Sequence, residues 1–301
     1  MRRLVAACAV VSIAVVGCSQ ATMLPRKAIE LNQAGAQAFA AGHLEVAEAR
    51  IALALEYNPK FTEAWVNLGL IYEAEGNFVM ARKDFVKARD LNPDLPIVHH
   101  ALGQLDEREG SLPEAEHNYR QALKVDPGFA PARINLGRLL YARGAFDDAR
   151  EQFLRLTQVA PEQSIGWSGL CESLLKLGRQ PEAEDVLNHV GRAFDDDPNI
   201  AILRGRILLL HRHYLEAIAE LQPVSVSDDP HRAAAALAWM ALARLGTGDG
   251  DAAQAEADRA VALDGDDPLT HYVRRAVQEA RSAAGRASNT ESTQPNHVSG
   301  R

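Results

Sequence analysis

A period of 34 residues runs through this chain, and it restricts the fold to stacked copies of one small unit. Units begin at Ala28, Thr62, Pro96, Ala130, Ser164, Pro198 and Arg232. The twentieth place of each is small: Ala47, Ala81, Ala115, Ala149, Ala183 and Ala217, with Ala253 in phase if two residues are inserted near Thr247 and Gly248. The eighth place reads Gly35, Gly69, Gly103, Gly137, Cys171 and Gly205, and a mid-turn place reads Gly42, Gly76, Gly110, Gly144, Gly178, Arg212 and Gly246. Antiparallel helices approach closely only where their contact residues are small, so the eighth and twentieth places mark a helix pair and the glycine between them marks its turn. Pro59, Pro93, Pro127 and Pro161 close units, because proline cannot extend the second helix. One such pair cannot bury its own apolar faces, so copies must stack.

The fullest unit reads Trp65-x2-Leu68-Gly69-x2-Tyr72, Gly76, Ala81-x3-Phe85, Ala88 and Pro93. This spacing resembles the tetratricopeptide repeat (TPR). The resemblance implies an all-α TPR superhelical solenoid of about seven helix-turn-helix repeats, at 28–61, 62–95, 96–129, 130–163, 164–197, 198–231 and 232–267. Beyond residue 164 the pattern weakens, with Asp195, Asp229 and Gly265 at the closing place and Arg204 where Leu is usual. A periodic run through Val273, Val277 and Ala280 predicts a capping helix at 268–285, and the Ser, Thr and Asn of 286–301 predict a disordered tail.

Residues 1–17 have the form of a signal peptide: Arg2 and Arg3, then an apolar run from Leu4 to Val16 broken only by Ser12. A spanning helix would need about 20 apolar residues. The end of the run, Val15-Val16-Gly17-Cys18, resembles the lipobox of bacterial lipoproteins. That resemblance implies acylation of Cys18 and cleavage before it, with Ser19 in place of Asp favouring the outer membrane. The alternatives are an ordinary cleaved signal or an uncleaved anchor. Residues 18–27 then form a tether whose flexible reach is about 17 Å. Loss of Arg2 and Arg3 takes the net charge from −8 to −10, so acyl chains rather than electrostatics would hold the body to the membrane.

The acidic balance and the lack of a Lys and Arg cluster argue against nucleic acid as a partner. Cys171 is alone in the body of the chain, so no internal disulfide framework is possible. No phosphate loop, nucleophile elbow or zinc-ligand spacing occurs, and no cofactor, metal or catalytic residue is implied. His99 and His100 are helix neighbours pointing about 100° apart and suit one ion poorly. His211 and His213 read as a solvated turn, Asp195-Asp196-Asp197 as a helix cap, and Cys171 as a small buried thiol.

The TPR resemblance implies that first helices line a concave face. Carried onto this chain, the exposed places are Asn67, Leu70, His100, Gln104, Arg108, Asn135, Arg138, Tyr141, Glu172 and Leu175, then Ile202, Arg206, Leu209 and Leu210. Such a groove suits an extended peptide or an amphipathic helix. The chaperone-tail clamp of the family, Lys and Asn at the fifth and ninth places, is absent from the first four units. The expectation is a membrane-anchored scaffold for protein or peptide clients, resembling assembly factors of type IV or tight-adherence pili and their secretins. An adaptor for cell-wall hydrolases or outer-membrane protein assembly is the alternative, and an enzyme would need a second domain.

Overall fold

The computed structural model describes residues 25–291. The signal segment, Cys18 and most of the expected tether lie outside the described residues, as do residues 292–301. Among the described residues the chain is all helical. In chain order come the antiparallel pairs α1 Arg26–Ala40 with α2 Leu44–Tyr57, α3 Thr62–Ala74 with α4 Phe78–Leu91, and α5 Pro96–Arg108 with α6 Leu112–Val125, then the helices α7 Ala130–Ala142 and α8 Phe146–Val159, then the pairs α9 Ser164–Lys176 with α10 Gln180–Val190, α11 Pro198–Leu210 with α12 Tyr214–Leu221, and α13 Pro230–Thr247 with α14 Gly250–Leu263. A final helix, α15, runs from Pro268 to Glu291. The chain divides into two compact units between Leu139 and Leu140, within α7.

In the first unit each inner helix is buried on two sides. Leu68 and Ile71 of α3 join Ile51 and Leu55 of α2 in one core cluster. Val66 of the same helix joins Phe85 and Ala88 of α4 with Val98, Leu102 and Leu105 of α5 in the next. This is why α3 lacks a clean polar stripe: a helix covered on two sides is apolar on two sides. The close approach within a pair is visible at Gly69, where an added Cβ would lie 2.5 Å from Phe85 Cε1. Phe85 is fully buried against that backbone, and burying a Phe side chain contributes roughly 1.5–3 kcal/mol.

Five turns within pairs use a glycine at φ between +73° and +83°: Gly42, Gly76, Gly110, Gly144 and Gly178. Arg212 holds the same place between α11 and α12 at φ 61°. In the last pair the turn belongs to Gly248 at φ +86°, not to Gly246, which stays within α13. The start of that pair also shifts. Asp229 accepts from the backbone N–H groups of His231 and Arg232, so α13 begins at Pro230 rather than Arg232.

The second unit is less regular because α12 has only eight residues and ends in a short 3-10 turn, Val224–Val226. Arg204 clasps the irregular segment before α11, bonding Asp195 Oδ1 at 2.7 Å, Glu220 Oε1 at 3.4 Å and the Gly191 carbonyl. Asp197 caps α11 through Asn199 N at 2.8 Å and Ile200 N at 3.2 Å. Fully buried Val273 and Val277 of α15 join Leu237 and Ala241 of α13 with Ala253 and Ala257 of α14 in one cluster. The expected tail is corrected over 286–291, where α15 continues to Glu291. A helix already nucleated by packing propagates through good helix formers such as Ala284 and Arg286 without further apolar periodicity. No described helix is long and apolar enough to cross a membrane.

Candidate functional site

In the first unit the first-helix face is largely tied up by contacts between repeats. The Asn67 amide donates to Asn32 Oδ1 at 2.9 Å, and Asn135 Nδ2 stands 3.1 Å from His100 Nε2. Both pairs span 35 residues, linking the sixth place of one unit to the fifth of the unit before. His100 is buried, 7% exposed, which corrects its expected place on an open surface. Tyr119 and Phe129 close over its ring at 5.8 and 5.6 Å, and burial pushes the imidazole down to about 4, so it stays neutral. Asn135 also shares a hydrogen bond with Tyr119. Leu70 and Gln104 are half-buried and Arg138 is exposed. The exposed Arg108 guanidinium lies 4.5 Å from the Phe78 ring centre and faces Glu73, whose carboxyl burial raises.

The second unit brings its part of the expected set together. The Tyr141 hydroxyl on α7 hydrogen-bonds the Glu172 carboxylate on α9, and burial first, then Glu172, pushes the phenol up to about 12. Tyr141 also meets Phe146 edge-on at 5.3 Å. Burial raises the Glu172 carboxyl, opposed by Arg206 of α11, by Lys176 and by the Tyr141 bond. The Arg206 guanidinium sits 5.1 Å from the ring centre of Trp239 on α13, in cation–π range. Ile202 and Leu209, four before and three after Arg206 on its own helix, pack in the same cluster as Trp239. Leu175 is half-buried and Leu210 exposed at 51%.

Trp239 is the member of this group that the repeat count missed. Counting from Arg232 puts it at the eighth place, which belongs to a small helix-contact residue. The true helix start at Pro230 breaks that phase, and the cap at Asp229 was the signal that could have restored it. Cys171 lies beside Glu172, fully buried, its thiol pushed up to about 12 first by burial, so it is a packing residue and a poor nucleophile.

Away from this face, a cleft of about 520 Å³ opens among α4, α5 and α6, lined by Arg89, His99, Pro113, Glu114, His117, Asn118 and Gln121. Among the described residues no three His, Cys, Asp or Glu side chains are placed to hold a metal ion. His211 and His213 instead face Glu184 and Glu216 separately, at 3.0 and 3.3 Å.

Comparison with known proteins agrees with the repeat fold. Tetratricopeptide repeat family models match residues 62–95 and 108–168. A tetratricopeptide repeat protein from Parabacteroides merdae, 16% identical, superposes with a TM-score of 0.59 over 84% of this chain and 100% of its own. The fold is a tetratricopeptide-repeat array. PilF of Pseudomonas aeruginosa shares the TPR fold at 22% identity, with a TM-score of 0.58 over 71% of this chain and 96% of that one. PilW, described as a widely conserved type IV pilus biogenesis factor, does so at 17% identity, with a TM-score of 0.52 over 83% and 99%. No curated protein sequence matches the chain.

Proposed function

We propose that this TPR protein is a lipid-anchored scaffold of the cell envelope that binds protein or peptide segments on its first-helix faces, with no chemistry of its own. The observation that carries the reading is the group Tyr141, Glu172, Arg206 and Trp239, contributed by four successive first helices. Repeat stacking alone does not call for a half-buried tyrosine, carboxylate, guanidinium and indole in one row. Tyr, Trp and Arg are the side chains that most often dominate interface energies, because each joins large contact area to directed hydrogen bonds.

Within that reading, assistance to a type IV or tight-adherence pilus and its secretin is the preferred pathway. It is supported by the lipobox-like Val15-Val16-Gly17-Cys18 and by a fold shared with PilF and PilW. The predicted location is the outer membrane, facing the periplasm. Two variants test the two halves. Cys18→Ala should abolish palmitate labelling and processing, and unchanged labelling would sink the anchor. Tyr141→Ala with Glu172→Ala should strip clients from a cross-linked pull-down while leaving helicity intact. Retention of every client would remove this face from the mechanism, and recovery of hydrolases or barrel-assembly proteins without pilus components would replace the pathway.

A further inference from the structure

Two arginines on α11 have opposite circumstances. Arg204 is saturated by Asp195, Glu220 and the Gly191 carbonyl. Arg206, two residues on, lies over Trp239 and attracts the Glu172 carboxylate, with no hydrogen bond from its guanidinium shown among the described residues. A guanidinium held against an indole by cation–π attraction keeps N–H groups that can match a carboxylate in two parallel bonds. The group is half-buried, so an ion pair formed there is less screened by salt than one on an open surface.

The surroundings define the rest of the ligand. Ile202 and Leu209 flank Arg206 along its helix, and with Trp239 they supply apolar contact on either side of the charge. Glu172 offsets part of the Arg206 charge from within the protein, which limits the site to a single further acid. A chain-terminal carboxylate is captured by several converging donors, whereas this site offers one guanidinium. We infer that the Arg206–Trp239 pair receives a single internal Asp or Glu side chain, carried between apolar residues on a client segment. The inference deepens the proposed client-binding role of this face and rests on it.

The test is a random-peptide display selection on the full chain, followed by titration of synthetic versions of the enriched peptides. The expected consensus is one acidic residue between apolar ones. Arg206→Gln should weaken binding about tenfold with helicity and melting unchanged, and Arg206→Lys about threefold, because an ammonium keeps the charge but loses the planar fork. Replacing the peptide's acid by its amide should cost the same tenfold in the wild type and nothing further in Arg206→Gln. Amidating the peptide C-terminus should have no effect. Peptides that bind through Tyr141 and Glu172 yet ignore Arg206→Gln, or that depend on a free C-terminus, overturn this inference and leave the binding face standing. Peptides indifferent to all three residues, or a library with no enriched sequence, overturn both.

Discussion

The indole N–H of Trp65 donates to the carbonyl of Pro59, 2.9 Å away and six residues earlier. The same bond recurs between Trp167 and Pro161 at 2.8 Å, His99 and Pro93 at 2.9 Å, Arg133 and Pro127, and His271 and Gly265 at 2.6 Å. Trp, His and Arg look unrelated as a repeat position, but each carries an N–H at the end of a long side chain. The fourth residue of a unit thereby satisfies a carbonyl of the junction that closes the unit before it.

Trp65→Phe removes that donor along with the pyrrole ring of the indole, which packs on two core clusters, whereas Trp65→His trims the ring but keeps an N–H, as His99 and His271 do. The bond's own part, read as the difference between the two variants, is expected to be about 0.5–1.5 kcal/mol in favour of His. Urea denaturation measures it, and a His variant no more stable than the Phe variant would mean that the bond contributes nothing to the repeat junction.

The contact at Gly69 makes a sharper prediction. An added methyl would lie 2.5 and 2.7 Å from two atoms of the buried Phe85 ring, and a packed ring cannot give way cheaply. Gly69→Ala should therefore cost about 1–3 kcal/mol. In a Phe85→Leu background, where the clashing ring is gone, the same change should cost markedly less. Equal costs in both backgrounds would show that the ring does not set the spacing of α3 and α4.

Asp84 on α4 is 2% exposed, and its Oδ2 finds no hydrogen-bond partner among the described residues. Burial pushes its carboxyl from 3.8 up to about 6, with Lys83 opposing. A folded-state value above the unfolded one means that the native state holds the proton more tightly. Its destabilising effect is thus absent below about pH 4, grows as pH rises to about 6, and is constant above. Asp84→Asn should be near neutral at pH 4 and stabilising by about 1–3 kcal/mol at pH 7.5, as expected for relief of an unpaired buried group. Urea titrations of both proteins at the two pH values decide this, and a difference that shrinks with rising pH would refute the assignment.

Helix pairing was legible because it depends on small residues at fixed spacing, and Gly35, Ala47, Gly69 and Ala81 can serve no other purpose so regularly. Individual surface positions were much less legible. His100 and Asn135 look like groove residues by count, yet they face each other across a repeat interface, and only the aromatic rings of Tyr119 and Phe129 reveal the burial. Trp239 was hidden for a different reason. The shortened α12 and the 3-10 turn after it changed the phase, and a period carries information only while it is kept.

Arg212 gives the last test, because it stands where five other turns use glycine. At φ 61° its Cβ crowds the following carbonyl, a conformation that costs a non-glycine residue roughly 1–2 kcal/mol. Glycine would remove that strain but would also loosen the unfolded chain, which offsets part of the gain. Arg212→Gly should accordingly stabilise the protein by about 0.5–1 kcal/mol, whereas Arg212→Val, β-branched at positive φ, should destabilise it. His211 and His213 on either side hold Glu184 and Glu216, so the turn has contacts that keep it in place while the backbone is strained. Thermal melts of the two variants supply the comparison. A destabilised glycine variant would mean that the Arg212 side chain contributes more than its backbone costs, and the strain argument would then fail at this turn.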